Sequence, residues 1–119
     1  MNDKVTKIRK ALSLLENTLG QDLILKEVHK IGGWNPEAAP QLHPLVLLWY
    51  KTREEMGIAE LTGIQPSSHR IYELLLISDL LQKICQHPEY HSLVTQLQNL
   101  DQYEAAIDRM KKIGNDFNQ

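Results

Sequence analysis

Two histidines and a carboxylate lie close together in His87-Pro88-Glu89-Tyr90-His91. A spacing of four puts two imidazoles on one helical face, the arrangement that holds a zinc ion. The order is not the His-Glu-x-x-His of metalloproteases. His87 also precedes Pro88, and a residue before proline avoids helical geometry, so the two rings are not expected to face one site. No Cys or His cluster elsewhere supplies the remaining ligands. Solvated or helix-capping histidines are therefore expected, and no metal or other cofactor is implied. Cys85 is the single cysteine. No helix start or cationic setting is visible to lower its pKa, so a small buried apolar residue is expected rather than a nucleophile. Glu54 and Glu55 could form an acid–base pair, but they adjoin a helix end, where charge is ordinary. There is no Gly-x-Ser-x-Gly and no glycine-rich phosphate loop. The reading is non-enzymatic.

A second chemistry is nucleic-acid recognition. Residues 57–72 read GIAELTGIQPSSHRIY. Ala59, Leu61, Gly63 and Ile64 stand where a helix-turn-helix places its small crossing residue, its turn glycine and its locking apolar residues. The stretch Ala-Glu-Leu-Thr-Gly-Ile resembles those of bacterial helix-turn-helix regulators, and the resemblance covers about sixteen residues. It implies a second helix whose exposed start, Ser67, Ser68, His69 and Arg70, reads base edges. His69 departs from the pattern, which wants a packed aliphatic residue there. The field is also unfavourable: between Glu54 and Glu104 eight acidic residues face Arg70 and Lys83 alone. The basic side chains gather at the termini instead. Lys4, Lys7, Arg9 and Lys10 occupy a helix start, where they oppose the macrodipole, so they are candidates for contact with an anionic partner.

The elements that position these residues are helical. Leucine occurs 19 times against 9 for Val plus Thr, so helix formers outweigh strand formers. Val5, Ile8, Leu12, Leu15 and Leu19 step by three or four along one face. Asn2 or Asp3 is expected to cap that helix and Gly20 to end it. The spacing predicts helices at about 4–19, 22–31, 44–56, 58–62, 67–86, 88–99 and 102–113. Gly57 separates the third from the fourth, Asp101 and Glu104 form a capping box for the last, and Gly114 ends it. Residues 32–43 are a loop constrained by Gly32, Gly33, Pro36 and Pro40, with one helical turn at about 35–39. Residues 115–119 form a polar tail. The expected fold is all-α: a compact single-domain bundle of five to seven helices spanning 1–119, with a long, central, apolar helix around Ile71 to Cys85.

Composition bounds the function classes. The chain has 119 residues, 42% of them hydrophobic, and a formal net charge of −2. That is enough apolar material for a core, too little basic excess for nonspecific phosphate binding, and too few cysteines for a disulfide scaffold. The longest apolar run, residues 45–50, falls short of the roughly 20 a membrane span needs. A soluble, cytoplasmic, non-membrane protein is expected. The apolar residues are concentrated. Trp34, Leu42, Val46 and Tyr50 fall in or beside the proline-rich segment, and a domain of this size leaves much of its surface uncovered. These four are the candidate interface anchors. The expected function is a non-catalytic protein-interaction module: a small adaptor, regulatory or accessory subunit that binds another protein or itself. The alternative is a nucleic-acid-associated regulator using residues 57–72 or the basic termini.

Overall fold

The computed structural model describes residues 3–117. It has six α-helices and no strand among the described residues: α1 (Asp3–Leu19), α2 (Gln21–Lys30), a single 3-10 turn (Ala39–Gln41), α3 (Pro44–Thr62), α4 (His69–Ile84), α5 (Tyr90–Leu97) and α6 (Tyr103–Phe117). The described helices include none long and apolar enough to cross a membrane. The contacts group the chain into two compact units, one ending at Leu75 and one beginning at Leu76, with the division inside α4.

In the first unit, α1 packs against both α2 and α3. Its inward stripe is Ile8, Ala11, Leu12, Leu15 and Leu19, as the spacing required. Gly20 is the whole connection between α1 and α2. It adopts φ 83° and ψ 143°, which a side-chain-bearing residue rarely reaches. Asp3 lies within α1 rather than capping it, and Asn2 lies outside the described residues. His43 caps α3: its Nδ1 accepts from the Leu45 amide at 3.1 Å, and its own amide donates to Glu27 of α2. Pro44 occupies the first turn, where a missing N–H costs nothing.

Several expected boundaries move. The helices expected at 44–56 and 58–62 are one, because Gly57 has ordinary negative-φ geometry and strong helix formers on both sides. An interior glycine costs only about 1 kcal/mol against alanine, so by itself it does not stop a helix. Gly63 stops it: at φ 73° it turns left-handed, and its amide returns to Ala59 O at 2.8 Å. Gly114 likewise lies inside α6, where a Cβ would sit 3.4 Å from Leu80 Cδ2. The helix therefore passes through the expected tail as far as Phe117, and residues 118–119 lie outside the described part. Pro88 belongs to the turn before α5, which starts at Tyr90.

The expected long central helix is not found. α4 has 16 residues against 19 in α3. It buries Ile71, Leu74, Ile77, Leu80, Leu81 and Ile84 but leaves Tyr72 and Leu76 exposed. That is a two-sided helix, not one covered all round. In the second unit α5 packs against α6, with Leu93, Leu97, Ala106, Met110 and Ile113 buried. The expected capping box at Asp101 is replaced by a turn in which Asn99 Oδ1 accepts from the Asp101 amide at 3.0 Å.

Candidate functional site

The two most exposed large apolar side chains among the described residues, Leu61 and Ile64, lie where α3 ends, with Ile58 beside them. Leu61 is 89% exposed, Ile64 71% and Ile58 55%. Ile58 and Leu61 are one helical turn apart and share a face. The Thr62 hydroxyl donates to Ile58 O at 2.9 Å and accepts from the Ile64 amide at 3.2 Å, so Ile64 is folded back onto the end of the helix. Beside it lies a cavity of about 140 Å³, lined by Val5, Met56, Ala59, Ile64 and Pro66 together with Glu60 and Gln65 among others.

The connection that follows does not form a helix-turn-helix. Residues 63–68 are non-helical, longer than the three or four residues that motif uses. The segment expected as a first short helix is the tail of α3. Ser67 and Ser68 precede α4, and both their amides donate to Glu55 Oε1 at 3.2 Å. A carboxylate from α3 thus occupies the end of α4 that would otherwise attract an anion. Ser68 Oγ caps the helix by accepting from the Ile71 amide, and His69 Nε2 meets Glu73 at 2.8 Å. Arg70 is exposed.

The basic face of α1 is partly engaged by the protein itself. Arg9 pairs with Glu60 at 3.0 Å, and Lys4 lies 5.4 Å from the centre of the Tyr72 ring. Lys7 and Lys10 are exposed.

Among the expected interface anchors, Leu42, Val46 and Tyr50 are buried and present no side-chain surface. The apolar surplus they supplied is core, because the 32–43 loop folds back over α3 through the 3-10 turn, which contacts it. Trp34 is different. It stacks on Tyr50 with ring centroids 3.8 Å apart and stands edge-on to Trp49, yet remains 53% exposed. Burial pushes the Tyr50 hydroxyl above its ordinary pKa, the Glu54 carboxylate adds to this, and the Asn35 backbone partly offsets it. Glu16 ties α1 to α3 by accepting from Trp49 Nε1 at 2.7 Å and from Arg53 at 3.0 Å.

In the second unit, His87 and His91 do not form a pair facing one site. His87 Nδ1 accepts from the Glu89 amide at 3.1 Å, and the His91 ring lies edge-on to Tyr90. No group of three potential metal ligands occurs among the described residues. Cys85 is exposed rather than buried, because α4 has already ended at Ile84. Arg109 of α6 forks onto Glu89. These hydrogen bonds and the opposite charge hold Glu89 below the usual carboxylate range and Arg109 above its ordinary value. An open cavity of about 430 Å³ lies beside them, lined by Lys83, His87, Pro88, Arg109, Ile113 and Asp116 among others.

Sequence reasoning did not find the contact of Glu27 with His43, the contact of Glu55 with Ser67 or the Arg109–Glu89 fork. Each joins residues 12 to 20 apart, beyond the reach of a helical-spacing rule. No protein-family model, curated protein or solved structure matches this chain.

Proposed function

We propose that this chain is a non-catalytic interaction subunit, an adaptor or regulatory component that docks a partner protein through the apolar end of α3. The observation that carries this reading is the cluster of Ile58, Leu61 and Ile64, all more than half exposed within seven residues. Fully covering one such side chain is worth about 1.5–3 kcal/mol, so a partner that seals three of them gains enough to offset part of its association cost. Exposed apolar clusters of this kind mark interaction surfaces more often than idle ones. The surface differs from the one expected from composition. Of those anchors only Trp34 reaches solvent, and it forms a separate exposed aromatic.

The test compares the wild type with Leu61→Ser/Ile64→Ser in affinity purification from the native cell and in solution mass. Leu25→Ser on α2 serves as an exposed-leucine control. The reading expects the partner, or the second copy, to be lost from the double variant and kept by the control. Identical captures and identical masses for all three proteins would refute it.

A further inference from the structure

The groove between α1 and α3 brings together two arginines that are 44 positions apart. Arg9 from α1 and Arg53 from α3 line one cavity of about 250 Å³, together with Leu12, Met56, Gly57 and Glu60. The helices run antiparallel here, since Arg9 meets Glu60 while Glu16, one helical stretch later, meets Arg53.

Three properties of this cavity point the same way. First, both guanidiniums keep donors in reserve. Each gives one hydrogen bond to a carboxylate in the described structure, Arg9 to Glu60 Oε1 and Arg53 to Glu16 Oε1, both at 3.0 Å. A guanidinium carries five N–H groups in a fork matched to oxyanions, and Arg109 shows in the same chain what a filled fork looks like. Second, the Arg9–Glu60 pair is an exposed single-bond contact, the kind that contributes little and yields readily to a better acceptor, while Arg53 gives Glu16 one hydrogen bond and lies 5.6 Å from the centre of the Trp49 ring, which leaves its other N–H groups available. Third, Gly57 stands inside a helix where glycine is locally unfavourable, and neither backbone nor packing asks for it. Its φ is not positive, and a Cβ there would meet nothing within 4 Å. Gly57 lines the cavity, and a side chain there would stand in open space beside it.

We infer that the Arg9–Arg53 groove binds a phosphate monoester, with Gly57 leaving room for it. The cavity is smaller than the roughly 300–1,000 Å³ of pockets that enclose whole organic ligands, so it suits a headgroup. Two cations approaching from opposite helices need oxygens directed to both sides. A tetrahedral phosphate dianion has three terminal oxygens, whereas a carboxylate directs two oxygens to one side. The dianion also competes better than a monoanion against Glu16 and Glu60, which already stand in the groove.

The experiment is an NMR titration of the full chain, following the Gly57 amide and the Arg9 and Arg53 Nε–H signals, with inorganic phosphate, free phosphoserine and a short phosphoserine peptide as probes. Saturable shifts at these three positions are expected in the wild type, and the shift of the Gly57 amide should vanish in Arg9→Gln/Arg53→Gln. Gly57→Leu should weaken binding at least tenfold while leaving the melting temperature unchanged or raised, an outcome that damage to the fold cannot imitate. Equal affinity for phosphoserine and the peptide assigns a free monoester, and tighter binding of the peptide assigns a phosphorylated protein side chain; both support the site. Shifts that fail to saturate, or a Gly57 amide shift that persists unchanged in the double arginine variant, would overturn it.

Discussion

Arg109 and Glu89 are joined by a two-point fork, Nε to one carboxylate oxygen at 3.2 Å and a terminal nitrogen to the other, across 20 residues of chain. The fork fixes the turn before α5 to the middle of α6. Glu89 is held below the usual carboxylate range chiefly by the Arg109 hydrogen bonds. A depressed folded-state pKa means that the unfolded chain takes up the proton first. The stabilisation is therefore complete above the unfolded value of about 4.3 and is lost as pH falls through the folded one. Glu89→Gln should lower stability near neutrality and flatten the acid limb of the profile, so that the two proteins converge as pH falls through the folded value. Melting temperatures measured from neutral pH down into the acid range, for both proteins, check this. Parallel acid limbs would count against it.

Two glycines of α3 should respond oppositely to the same substitution. Gly63→Ala forces a side chain into the left-handed region at φ 73° and should lose about 1 kcal/mol or more. Gly57→Ala exchanges the poorest ordinary helix former for the best in open space and should gain about 1 kcal/mol. Urea denaturation of both variants measures the two changes.

Glu55 holds the start of α4 from outside that helix, through the amides of Ser67 and Ser68. Glu55→Ala should cost about 1 kcal/mol, as the loss of a helix cap does, and should speed hydrogen exchange at Ser67 and Ser68 before other amides. Exchange rates unchanged at those two positions would show that the contact is idle.

The Trp34–Tyr50 stack predicts an asymmetry. Tyr50 is fully buried, so Tyr50→Ala should cost about 3–5 kcal/mol, the range for truncating a large aromatic in a core. Trp34→Ala removes a half-exposed ring and should cost about 1 kcal/mol, since one face already meets water. Chemical denaturation of the two variants gives the comparison.

Leu61 should be nearly free to change. At 89% exposure, Leu61→Ser should alter stability by no more than about 0.5 kcal/mol. A larger loss in thermal denaturation would mean that the side chain contributes to the fold rather than waiting for a partner.

The helical character of the chain was legible because it rests on local spacing. Ile8, Leu12, Leu15 and Leu19 bury the face their threes and fours describe, with Val5 half-buried at its start, and Gly20 and Gly63 terminate helices as their type suggests. Spacing failed where the same residue type has two uses. Gly57 and Gly114 read as stops but lie inside helices, and only the backbone geometry or the nearness of Leu80 tells them from Gly63. Exposure was less legible than periodicity. Leu42, Val46 and Tyr50 looked surplus, and Leu61 and Ile64 looked like the packing residues of a turn. Which of these is covered depends on how the 32–43 loop folds back over α3, a long-range event that no short window encodes. The carboxylate contacts of Glu27, Glu55 and Glu89 were invisible for the same reason.

The one-residue joint at Gly20 sets the rotational phase of the helix that follows. With no slack between α1 and α2, an inserted residue cannot be absorbed as loop; it would turn α2 by about 100° about its own axis. Ile24 would leave the core, and Glu27 would swing away from the His43 amide that begins α3. Length at this point is therefore as constrained as residue type, and changes in chain length belong instead in the connection between α3 and α4, where residues 63–68 run without helical register.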